Sequence, residues 1–185
     1  MTKTPPTPTA GTSFSLAIRL YGDYQQIVDF RMPGVAVLGL DESPPRGRGW
    51  GPSPAHLLGS ALGSCLGAAL LHDLRERQIE VVDLRTDVSG TVRTDMLRDR
   101  HLANLTITLS PVLTRRTDVD RMPAPEDLAE RSMIAGSIRT GLGLWIAITP
   151  EVRTGTRTAP HGARSHAATA DAAGIVPHFV EPAPR

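Results

Sequence analysis

A chain of 185 residues is long enough for one well-formed core and short for two. Its formal charge of +1, without any run of Lys or Arg, excludes the electrostatic footprint of a nucleic-acid binder. A single cysteine, Cys65, excludes a disulfide framework within the chain and suits a reducing compartment.

Residues 1–12 are Thr, Pro and Gly with little to bury and read as a disordered tail; they lack the apolar run of a secretory signal. The domain proper spans 13–152. SFSLAIRL (13–20) and YQQIVDFR (24–31) predict strands joined by a turn at Gly22-Asp23, and GVAVLGLD (34–41) predicts a third. Residues 42–54, ESPPRGRGWGPSP, form a Pro/Gly loop. Arg46, Arg48 and Trp50 make it a basic loop with an aromatic, which suits an acidic or aromatic ligand, or else a solvated loop held by one buried indole.

A long helix follows over 54–77. Gly59, Gly63 and Gly67 recur every four residues along it, and each costs roughly 1 kcal/mol against alanine. Such a groove admits close approach of another backbone, and the helix is apolar nearly all round, so a second subunit is expected to cover it. The longest apolar stretch, Leu57 to Leu71, is about 15 residues, short of the roughly 20 that a bilayer requires. The chain is therefore expected to avoid membranes and to reside in the cytoplasm.

Residues 81–93 put Val82, Leu84, Val88 and Val92 on one strand face, and in 102–112 Leu105, Ile107 and Leu109 alternate with Thr106, Thr108 and Ser110. A second helix starts near Pro125, with Glu126 and Asp127 in its first turn, and runs to about Arg139–Gly141. Leu142, Leu144, Ile146 and Ile148 form the last strand. The order β-β-β-α-β-β-α-β argues an α+β fold of antiparallel sheets around a long central helix. Residues 153–185 read as a flexible tail with little apolar surface to bury. Its short apolar patch, IVPHFVE (175–181), either folds back onto the domain or docks a partner.

Cys65 allows two readings. As a small apolar filler among Ala and Gly it is core. As a nucleophile it needs help: a free thiol is only about 3% thiolate at pH 7. Leu62, Leu66 and Ala61 disfavour charge, and Cys65 lies about two turns inside its helix, beyond the reach of the N-terminal dipole. His72 shares its face but stands about 10 Å along the axis, too far for an ion pair, and reads as a surface residue. His56 reads as a capping or loop contact. The remaining histidines show no metal-ligand spacing, and no nucleotide or phosphate fingerprint occurs, so neither metal nor cofactor is expected.

LDESPPRGRGWGPSPAHLLGSALGSCLGAAL (40–70) resembles the signature of the OsmC/Ohr family, the osmotically inducible and organic-hydroperoxide-resistance proteins. The resemblance extends over about 13–150, and Gly51-Pro52-Ser53-Pro54 to Cys65-Leu66 is its most specific part. It implies an intertwined α+β homodimer with active sites at the subunit interface. It also implies that Cys65 is peroxidatic, that an arginine (Arg19 or Arg31 on an early strand, or Arg46 or Arg48 in the loop) steadies its thiolate, and that a second cysteine resolves the sulfenic acid. The resolving position falls on Met133, with Ser132 adjacent, and the family's glutamate falls on Ala55. Two functions follow: a single-cysteine peroxidase acting on organic hydroperoxides with an external thiol, or a repurposed homodimer binding a small apolar ligand in its interface pocket.

Overall fold

The computed structural model describes residues 14–94, 100–138 and 141–153, and the backbone of 178–180. The N-terminal tail 1–12, the helix end at Arg139 and all other residues of the tail after 153 lie outside the described residues. The chain forms two compact units, Met1–His56 and Leu57–Arg185.

The first unit is an antiparallel sheet in the order β1 (Ala17–Gly22), β2 (Gln25–Asp29), β3 (Leu38–Leu40). All three strands are shorter than the sequence suggests. The turn between β1 and β2 falls at Asp23, with φ of 46°, one step beyond a bulge at Leu20–Gly22. β2 stops before Arg31, which adopts φ of 53° while its N–H donates to Asp29 Oδ1. Register sets Ile18 opposite Val28 and Val28 opposite Leu38, so one face is apolar. Val28 and Leu40 are buried on it, whereas Ile18 and Leu20 remain exposed.

The second unit contains α1 (Pro54–Glu76) from Leu57 onward, β4 (Val81–Thr94) and β5 (Arg100–Leu113), then a 3-10 turn (Arg116–Arg121), α2 (Pro125–Arg131), α3 (Met133–Ile138) and β6 (Gly143–Ile148). Two short strands follow, β7 (Glu151–Val152) and β8 (His178–Val180). The sheet runs β4-β5-β6-β8, with β7 also on β5. β4 and β5 form an antiparallel hairpin, but β5 and β6 pair in parallel because the chain crosses over through α2 and α3. The sheet is therefore mixed, where the sequence suggested antiparallel pairing throughout. At the chain end, Val180, Phe179 and His178 pair with Leu144, Trp145 and Ile146.

The core lies between α1 and this sheet. Leu62, Leu66, Leu70 and Leu74, at helical spacing, meet Leu105, Ile107 and Leu109 from one face of β5 and Leu144 and Ile146 from β6. Bulges adjust β4 to this core: the one between Val81 and Asp83 leaves Val81 packed against it and Val82 exposed, reversing the expected placement.

The glycines of α1 face β4 of the same chain. A Cβ at Gly59 would come within 3.1 Å of Val88, at Gly63 within 2.9 Å of Val88 and 3.3 Å of Thr86, and at Gly67 within 3.4 Å of Leu84. The groove anticipated for a partner's backbone is filled by the protein's own strand. By length and composition α1 could also cross a bilayer, which the 15-residue estimate had excluded. Its leucine stripe instead packs into the core of a folded unit.

Candidate active site

Two groups of predicted site residues take shape, one in each unit. In the first, Asp41 organises the loop between β3 and α1. Its buried carboxylate accepts N–H bonds on Oδ2 from Arg48 and Trp50, both at 3.0 Å. These donors, Trp50 first, hold the carboxyl below its ordinary value of 3.8. Trp50 stacks on Tyr21 with ring centroids 6.0 Å apart and covers Gly39, where any side chain would enter its ring. It is 55% exposed, which corrects the expectation of a buried indole. Arg48 pairs with Asp23 at 3.4 Å on the surface, and with Arg46, Gly47, Tyr24, Gln25 and Asp41 they line a cavity of about 470 Å³. Arg19 lies on β1 and Arg31 just past β2.

In the second unit, Cys65 is half-buried, midway along α1, and is a free thiol. The residue that meets it is Ser132, whose hydroxyl donates to Cys65 Sγ over 3.2 Å. Met133, to which the resemblance assigned the resolving position, is 76% exposed. The helix expected over 125–139 is broken at Ser132, whose φ of −77° and ψ of 120° are extended. This residue closes α2 by giving its N–H to Leu128 O, and it caps α3 by accepting the Ala135 N–H on its Oγ. Serine before a short apolar helix is a recognisable cap, and that signal could have singled out Ser132.

The preceding residue is tied to the same helix. Arg131 bonds Asp73, a buried carboxylate two turns beyond Cys65 on α1, and Arg77 pairs with Asp73 over 2.6 Å. Arg77 and Arg121 each donate to the other's carbonyl. Buried Asp118 takes Arg115 at 3.1 Å and Arg121 at 3.0 Å. The Asp73–Arg131 pair thus ties α2 to the end of α1, and the Arg77–Arg121 exchange ties the 3-10 turn there, with Asp118 holding Arg121 in place. His56 Nδ1 meets Ser53 Oγ at 2.8 Å at the start of α1, and His72 pairs with Glu76 at 3.4 Å on the surface, as the sequence suggested for both.

The OsmC-like protein family model matches residues 46–146, more than half of the chain. The chain belongs to this family. The OsmC fold is matched by an OsmC-like protein of Mycoplasma pneumoniae, with a TM-score of 0.60 and 15% identity over 77% of this chain and 99% of that one. The organic hydroperoxide resistance protein OhrB of Bacillus subtilis gives a TM-score of 0.52 at 17% identity, covering 76% and 98%. An organic hydroperoxide resistance protein OsmC from Legionella pneumophila gives 0.51 at 15%, covering 78% and 100%. No curated protein matches the sequence. In this OsmC-family chain Cys65 stands on the long helix α1, and a serine hydroxyl lies against its sulfur.

Proposed function

We propose that this OsmC-family protein is a single-cysteine thiol peroxidase for organic hydroperoxides. The observation that carries the reading is the position of Cys65: the chain's one cysteine stands on the long helix of an OsmC fold, half-buried rather than sealed in the core, with a hydrogen-bond donor at its sulfur. The Cys65 thiolate attacks the distal oxygen of R–O–OH, the S–O bond forms as the O–O bond breaks, and the alkoxide leaves to take up a proton as alcohol. An external thiol then attacks the sulfenic acid, releasing water and leaving a mixed disulfide. A second equivalent of thiol reopens it to free Cys65 and the small disulfide.

We assign the steadying of the thiolate and the departing oxygen to an arginine of the same or the partner subunit, Arg19 on β1 or Arg31 just past β2, and the holding of the substrate to Trp50, Arg46 and Arg48. The working form is a homodimer in the cytoplasm. The exposed apolar face of β1, with Ile18 54% and Leu20 73% exposed, supports a partner subunit. The lone reduced thiol suits the compartment.

The alternative reading, a homodimer holding a small apolar ligand with Cys65 as lining, is favoured by the absence of a second cysteine. Mass spectrometry after cumene hydroperoxide treatment, with a sulfenate-trapping dione, separates the two. The peroxidase forms one dione adduct at Cys65, and excess peroxide adds two oxygens to the same residue. A Cys65 that stays reduced in the native protein and reacts only when unfolded refutes the peroxidase.

A further inference from the structure

We infer that Ser132 is a positioning residue for the Cys65 thiolate, held in place by the Asp73–Arg131 ion pair, and this rests on the reading of Cys65 as a nucleophile. Each polar group of Ser132 has a defined partner. Its N–H goes to Leu128 O at 3.0 Å and its carbonyl accepts Gly136 N–H at 2.8 Å. One lone pair of Oγ accepts Ala135 N–H at 3.3 Å. A hydroxyl carries a single proton, and this one is directed at Cys65 Sγ, 3.2 Å away. The residue is buried, at 1% exposure. A sulfur bearing negative charge is a stronger acceptor than a neutral thiol, so the hydroxyl holds the attacking sulfur in one orientation.

The placement is set from two sides. The break between α2 and α3 aims the hydroxyl, and Arg131 fixes the register of α2 on α1. Asp73 follows Cys65 by eight residues, about 12 Å along the same helix. Consecutive residues 131 and 132 are thus pinned to two points of α1, and a slide of α2 by one turn would lose both bonds. Where the family pattern has a second sulfur able to close a disulfide, this chain has a group that can hold the thiolate but cannot trap the sulfenic acid. The oxidised cysteine is left to an external thiol.

The test measures alkylation of Cys65 by iodoacetamide at pH 7 in the full-length protein, native and in denaturant, with circular dichroism to confirm folding. Ser132→Ala should react about tenfold more slowly than wild type in the native state and at the wild-type rate once unfolded. Ser132→Thr, which restores a hydroxyl cap, should stay within about threefold of wild type in both states. Arg131→Gln keeps the hydroxyl but releases the clamp, and should lose about threefold in the native state. An unchanged native rate in Ser132→Ala, or no rescue by Ser132→Thr, overturns the inference. Should Ser132→Ala fail to fold, wild-type rates in Arg131→Gln overturn it instead. A wild-type protein that shows this iodoacetamide pattern but ignores hydroperoxide refutes the peroxidase and leaves the role of Ser132 intact.

Discussion

The hydroxyl oxygen of Ser132 lies 3.2 Å from the sulfur of Cys65, while Met133, the next residue along, is turned to solvent. A second sulfur placed at 132 would therefore face the first. Ser132→Cys is expected to form an intramolecular 65–132 disulfide after one equivalent of alkyl hydroperoxide and to be protected from over-oxidation. Met133→Cys should instead leave Cys65 as prone to sulfinic acid as in wild type. Peptide mapping under non-reducing conditions decides between positions 132 and 133.

Gly63→Leu should destabilise the fold itself, because its side chain would enter the space of Val88 and Thr86 on β4. The expected cost is about 1–3 kcal/mol or more in chemical denaturation. Adding Val88→Ala should return part of that loss, giving a coupling of at least about 0.5 kcal/mol. Additive losses would mean that this helix face does not pack on β4.

The loop at Asp41 should respond to acid. Its carboxyl pKa is lowered below 3.8 in the folded chain by the N–H donors of Trp50, Arg48 and Glu42, so the stabilisation it provides is complete well above that value. It is lost as pH falls through the lower, folded value. Trp50 fluorescence, read in a Trp145→Phe background because the chain has two tryptophans, should change below about pH 3.8 and stay flat between 5 and 8. Asp41→Asn should remove this transition. A midpoint above 4 would contradict it.

Removing residues 178–185 takes away the strand paired with β6 at Leu144, Trp145 and Ile146. The melting temperature should fall by about 2–4 °C per kcal/mol of lost pairing, and β6 amides should exchange faster with solvent. An unchanged melt and exchange pattern would show that β8 contributes nothing to the sheet.

Much of the architecture is written in short-range pattern. Leu105, Ile107 and Leu109 alternate cleanly enough to define the buried face of β5, and Pro125 with Glu126 marks the start of α2. What the pattern hides are interactions between distant parts of the chain. The glycines of α1 are visible as a groove, but only the course of β4 reveals that Val88 and Thr86 fill it. The bulge beside Val82 inverts a face that strict alternation places inward. The candidate site shows the same division. Cys65 and its helix are legible from local sequence, whereas its partner is displaced by one residue because the break at Ser132 is announced only by that single capping serine. Asp41 passes unnoticed for a related reason: its partners are backbone N–H groups, which no side-chain motif records.

The parallel pairing of β5 with β6 carries a consequence for how this chain can vary. Antiparallel neighbours can be joined by a turn of two residues, but parallel neighbours oblige the chain to travel back the full length of the strand before it pairs again. Here that return journey comprises the 3-10 turn, α2 and α3, and Ser132 sits on it. Surface turns elsewhere can be trimmed or lengthened without reversing any strand. The stretch from 114 to 142 cannot be shortened to a turn without changing the polarity of the sheet. The residue that faces Cys65 is thus carried on a connection that the topology itself makes indispensable.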